Sequence, residues 1–143
     1  MGRVLTAAQI ENVGDLWEAQ TGKSPMATVR TIQVSDALVD TGATTLALPS
    51  RLIQQLGLIK VTEKRVTSVN GLATVSLYSP VRITIQSRAC TVDVMEVPDN
   101  IPPLIGQIPL EMMDLVVDLQ GRRLVPNPAH NGEQILELLI SGC

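Results

Sequence analysis

Alternation is the strongest constraint in this chain. Val75, Leu77, Val81, Ile83 and Ile85 fall at every second position against polar or small neighbours, and Val92 and Val94 repeat the pattern around Thr91 and Asp93. A period of two sends successive side chains to opposite faces, so these runs read as half-buried strands and not as helices. Pro80 stands inside the run and has no N–H to give to a ladder, so an edge or a bulge is expected there. The stretch from Val29 to Val34 is β-rich and apolar on both sides, and leads through Ser35-Asp36 into Ala37-Leu38-Val39. Leu115-Val116-Val117 and Leu124-Val125 flank Gln120-Gly121, which reads as a hairpin. The chain has one Trp, one Tyr and no Phe, yet is 45% hydrophobic, so its core must be aliphatic.

Short helices interrupt the strands. Pro49 to Leu56 opens on Pro, carries Leu52, Ile53 and Leu56 on one face and stops at Gly57. Gln107 to Met113 is the second, with Pro109 acceptable only in its first turn. Glu133 to Ile140 is a third candidate, with Ile135, Leu136, Leu138 and Leu139 apolar. An apolar strand, a Gly and a short helix occur at Leu38–Leu56 and again at Leu104–Met113, a faint internal repeat. No linker or low-complexity segment appears, and 143 residues suit one domain spanning 1–143. The fold class is all-β with one or two short helices.

Composition excludes several functions. The net charge is −3, no basic run occurs and almost no aromatics are present for base stacking, which disfavours nucleic acid. No 18-residue apolar stretch exists to span a membrane. No long apolar region opens the chain, and Cys90 and Cys143 are far apart without CxxC spacing, so reduced thiols in a cytoplasmic protein are expected. His130 is the only histidine and sits in the loop-like Pro126–Gly132 stretch. That leaves no ligand set for a usual zinc site, and the expectation is no metal and no cofactor.

The chemistry-bearing segment is Leu38-Val39-Asp40-Thr41-Gly42-Ala43-Thr44. Two apolar strand residues run into a carboxylate, a hydroxyl and a glycine. The strand would hold Asp40 at its end, Gly42 would allow a tight turn and close approach, and Thr41 and Thr44 offer hydroxyls. One Asp-Thr-Gly triplet arises by chance in roughly a few per cent of chains this long, so the surrounding residues carry the weight.

Those residues fit. Leu38 to Thr44 resembles the active-site motif of aspartic proteases, specifically the single-domain retropepsin-like branch of bacterial type. A second signature of that family, two apolar residues and a Gly leading into a short helix, is matched by Leu104-Ile105-Gly106 before Gln107-Ile108-Pro109-Leu110. Viral members often carry Arg or Asn where Gln107 stands. The resemblance covers about residues 25–126, with 127–143 as a tail lacking a counterpart. It implies a closed acid-protease barrel, Asp40, Thr41 and Gly42 as catalytic residues, and Ala43 beside the substrate. It also implies a flap hairpin over Val61–Ile85 with Val69-Asn70-Gly71-Leu72 at its tip, so that Asn70 and Gly71 would bind a peptide or protein substrate. Asn-Gly is itself a strong two-residue turn signal.

This chemistry needs two carboxylates, and the sequence has one triplet. Asp118-Leu119-Gln120-Gly121 lacks the hydroxyl–Gly pair, and Asp36 stands at the wrong end of its strand. The second carboxylate must come from another copy, in a homodimer about a two-fold axis. The candidates for the dimer sheet are Arg3–Val13 and the Leu115–Val125 hairpin. The reading is an aspartic endopeptidase; the alternative is a catalytically silent dimeric scaffold module with the same fold. Asp114, Asp118 and His130 read as solvated, Trp17 as packing, and Met112 and Met113 as helix core.

Overall fold

The computed structural model describes residues 3–136. The fold is mostly β. Strand β1 (Leu5–Asn12) runs into helix α1 (Val13–Gln20), and a 3-10 turn (Met26–Thr28) leads to β2 (Thr31–Val39). Then come β3 (Leu46–Pro49), α2 (Ser50–Leu56), β4 (Lys60–Ser68), β5 (Gly71–Ile85) and β6 (Arg88–Val97). The chain continues through β7 (Leu104–Ile105), α3 (Gln107–Met113), β8 (Leu115–Asp118) and β9 (Arg123–Pro126) to a last 3-10 turn (Pro128–His130).

Seven strands form one sheet in the order β1-β2-β7-β3-β6-β5-β4, and β1 also pairs antiparallel with β5. Strands β8 and β9 form a separate two-stranded sheet. The period-2 pattern is obeyed where burial demands it. Along β6, Arg88, Cys90, Val92 and Val94 are buried while Thr91 and Asp93 are exposed. The core is aliphatic, with Ile10, Leu46, Leu48, Leu56, Ile83, Ile105 and Met113 fully enclosed.

Pro80 marks a bulge inside a continuous strand. The β5–β6 register shifts between Tyr78 and Val81. On its other edge β5 pairs with β4 up to Tyr78 and with β1 from Val81. The residue without an N–H sits where the partner changes, so no ladder bond is lost. Beyond that point the β4–β5 hairpin stands clear, and β4 is exposed at nearly every position.

Several expectations need correction. Among the described residues there are three α-helices, not one or two. Asn12 caps α1 by accepting from Asp15 N, and buries Val13 and Leu16 behind it; this Asn-x-x-Asp start was a readable cap signal. Trp17 on α1 is 61% exposed, so it does not pack. Met113 is buried, but Met112 is 39% exposed. Gln120-Gly121 does lie in the β8–β9 turn, although Arg122 takes the left-handed φ of 52°. Residues 133–136 are not helical; the rest of the Glu133–Ile140 candidate, with Leu138, Leu139 and Cys143, lies outside the described residues. Strand β1 pairs with β2 over Leu5–Glu11 and with β5 over Gln9–Asn12, so its second half is paired on both edges.

Candidate functional site

Asp40 lies where β2 leaves the sheet. Strand β2 runs parallel to β7, with Leu38 beside Leu104 and Val39 beside Ile105. Leu38 N donates to Pro103 O (2.8 Å) and Asp40 N to Ile105 O (2.9 Å), so the ladder continues up to the carboxylate residue itself. The chain then turns on Asp40: Ala43 N donates to its carbonyl (3.0 Å) and Gly42 N to its Oδ1 (3.0 Å). Asp40 is half-buried, while Thr41 and Gly42 are exposed. A Cβ at Gly42 would come 3.2 Å from Asp40 Oδ1, so the carboxylate would have to give by a few tenths of an ångström.

The two sequence signatures meet in space. Gly106 N donates to Thr45 O (3.0 Å), Gln107 N to Ala43 O (2.9 Å) and Ile108 N to Thr44 O (2.9 Å). Three successive amides at the start of α3, donors with no partner inside the helix, thus hold the carbonyls after Asp-Thr-Gly. The approach is so close that a Cβ on Gly106 would lie 2.5 Å from Thr45 O and 2.7 Å from Ala43 O. Gly106 is therefore required by contact; its φ of −88° is ordinary. The Gln107 side chain bonds Glu111 Oε1 (2.9 Å) within its own helix.

A groove of about 470 Å³ opens beside this loop. Thr44, Thr45 and Ile108 form one wall, Lys64, Val66 and Leu77 of the β4–β5 hairpin the other, and Asp93 and Met95 of β6 the floor. Thr45 Oγ1 donates to Asp93 O (3.0 Å), tying the loop to that floor. Sequence reading missed Thr45, Lys64, Asp93 and Met95. The signal was the outward face of β6, visible once Val92 and Val94 are assigned inward.

Asn70 and Gly71 sit at the hairpin tip, both exposed. The turn is displaced by one residue from the Asn-Gly expectation. Ser68 pairs with Gly71, so Val69 and Asn70 form the loop. Only Gly71 takes a positive φ, 102°, as in a turn closed by a glycine bulge. Ser68 Oγ accepts from Asn70 N (3.2 Å) and donates to Gly71 O (3.0 Å), which favours this register.

The lone histidine is not a solvated loop residue. Its side chain is 13% exposed, and Nδ1 lies 2.5 Å from Asp114 Oδ2. Asp114 is buried as well. The amide of Ile135 and then His130 hold its carboxyl well down, at about 2. Asp118, by contrast, is partly exposed and pairs with Arg123 (3.5 Å). Burial pushes the Cys90 thiol up to about 11. Among the described residues, no group of three His, Cys, Asp or Glu could hold a metal ion. No described helix is long and apolar enough to cross a membrane.

A family model described as aspartyl protease matches residues 26–108, a span that includes Asp40, the hairpin and Gly106. No curated protein matches the chain.

Proposed function

The chain belongs to the aspartyl protease family, and we propose that it is an aspartic endopeptidase whose active site forms between the Asp40 residues of two copies. The observation that carries this reading is the lacing of Ala43, Thr44 and Thr45 to the first amides of α3, which holds the Asp40 turn rigidly at a half-exposed position. A structural turn has no need of so constrained a carboxylate; a general base does. We read the β1–β5 pairing as closing the sheet into a barrel, with residues 1–143 as one domain.

Two such carboxylates about 3 Å apart cannot both ionise, so they share one proton. The ionised Asp40 takes a proton from a bound water as that water attacks the peptide carbonyl. The protonated one donates to the carbonyl oxygen, and then a proton passes to the leaving nitrogen. Thr41 and Gly42 shape the turn that holds the pair. An extended peptide would lie past Ala43 in the groove. The backbone at Asn70 and Gly71 would cover it, adding strand-like hydrogen bonds and excluding water. Only the second half of β1 is paired on both edges, so its first half and the β8–β9 hairpin are the elements left to join the copies.

The test combines solution mass with a peptide-library cleavage assay run across about pH 4 to 7, so that a bell-shaped profile would be seen. Wild type should be a dimer and cleave; Asp40→Asn should remain a dimer and be silent. Equal activity in both would remove Asp40 from the chemistry. A fully active monomer would remove the dimer. No cleavage by either would leave a silent scaffold.

A further inference from the structure

Only three polar or charged residues are buried among the described ones: Asn12, Arg88 and Asp114. Two of them are spent on the segment that follows β9. Asp114 stands just before β8 and Asn127 just after β9, and the two close the base of the hairpin. Asn127 N donates to Asp114 O (3.0 Å), and Asn127 Nδ2 donates to Asp114 Oδ1 (3.1 Å). The other carboxylate oxygen accepts from Ile135 N (3.0 Å) and meets His130. Arg88 reaches in from β6: Nη1 donates to Met113 O (3.0 Å) and Asp114 O (2.9 Å), and Nη2 to Gly132 O (2.7 Å). Gln134 Nε2 adds a bond to Met112 O (3.1 Å). The chain after β9 is thereby strapped across the corner where α3 becomes β8.

Apolar packing seats the hairpin: Leu115 and Leu124 are buried in the main core and Val117 packs against it. Strands β8 and β9 pair only with each other among the described strands, so no ladder to the large sheet fixes their direction. Gln86 Nε2 to Leu124 O (2.8 Å) is one further tie. Burying charges yields little net stability even when they are paired; its better-attested return is a single defined arrangement. The same corner ends α3, whose first amides grip the Asp40 loop.

We propose that Asp114 and Arg88 are positioning residues that clasp residues 127–135 and so hold the β8–β9 hairpin in the orientation in which a second copy pairs with it. This rests on the dimer reading above. Loss of the clasp should weaken assembly and, through it, activity, while the Asp40 turn of each chain stays intact.

Asp114→Ala in the full chain tests this. Sedimentation at graded concentrations should show the dimer dissociation constant rising about tenfold or more, within the usual range for coupling between sites. Cleavage per chain should fall at low concentration and recover at high concentration, with kcat of the assembled enzyme unchanged. A merely structural role would lower the folded fraction without that concentration dependence. Asp114→Asn, which keeps one carbonyl acceptor, should fall between. If Asp114→Ala does not fold, His130→Ala removes the imidazole that meets Asp114 and is read the same way. A dissociation constant within twofold of wild type, with rapid amide exchange showing the Ile135 N–H released, would overturn the proposal. If wild type is monomeric at every concentration, the dimer reading fails on its own. The clasp is then judged by amide exchange across β8–β9, and unchanged exchange in Asp114→Ala overturns it.

Discussion

Replacing Gly106 with Ala tests the lacing that supports Asp40. The added Cβ would meet Thr45 O at 2.5 Å, Ala43 O at 2.7 Å and Thr44 C at 2.8 Å. All three atoms are backbone, so no side chain can swing away. Ordinary contact needs the loop and the start of α3 to part by about 1 Å. That stretches the three bonds from Gly106, Gln107 and Ile108 to Thr45, Ala43 and Thr44, each worth about 1 kcal/mol. Overpacking itself costs about 1–3 kcal/mol, so a total near 3 kcal/mol is expected. For a chain of this size that is a fall of roughly 10 °C in Tm, read by calorimetry. A carboxylate displaced by about 1 Å should also lose about a hundredfold in kcat/KM, read with the best peptide substrate. Gly22→Ala is the control. That glycine has a φ of +79° and nothing within 4 Å of its Cβ position, so only a backbone cost of about 1 kcal/mol applies. If Gly106→Ala melts and cleaves like Gly22→Ala, the lacing does not set the position of Asp40.

Three further outcomes are expected. The Asp114 carboxyl, held at about 2, stabilises the fold above its ordinary unfolded value near 3.8. That contribution disappears as pH falls through about 2. Thermal unfolding of wild type and Asp114→Asn should therefore differ at neutral pH and converge near pH 2. The buried Cys90 thiol, raised to about 11, should resist alkylation at pH about 8 in the native protein and react promptly in denaturant, as located by peptide mass mapping. Gly71→Val places a β-branched residue at a φ of 102°, at a cost of about 2 kcal/mol. Because the hairpin tip stands clear of the core, kcat/KM should fall severalfold with little change in global Tm, separating a flap from an inert surface hairpin.

Sequence alone determined what local pattern and local chemistry encode. The period of two along β5 and β6 is a property of neighbouring residues, so the strands and the bulge at Pro80 were legible. Helices α2 and α3 were bounded by Pro, Gly and an apolar stripe. The pairing of Asp40-Thr41-Gly42 with Leu104-Ile105-Gly106 was legible as a resemblance, but not as a contact. Their junction depends on β2 and β7 lying parallel, 66 positions apart by register (Leu38 beside Leu104), which no local signal reports. Likewise Asn-Gly announced a hairpin, but the Ser68 hydroxyl bonds chose its register. Asp114 and His130 read as solvated because charged residues usually are; in the fold they meet each other at a corner that Arg88, contributed from another strand, bonds through the backbone. What only the tertiary structure decided is where Asp40 is held, what walls the groove beside its loop, and how much of β1 is already paired within its own sheet. Each of these depends on backbone groups remote in sequence that must satisfy one another once they are out of water.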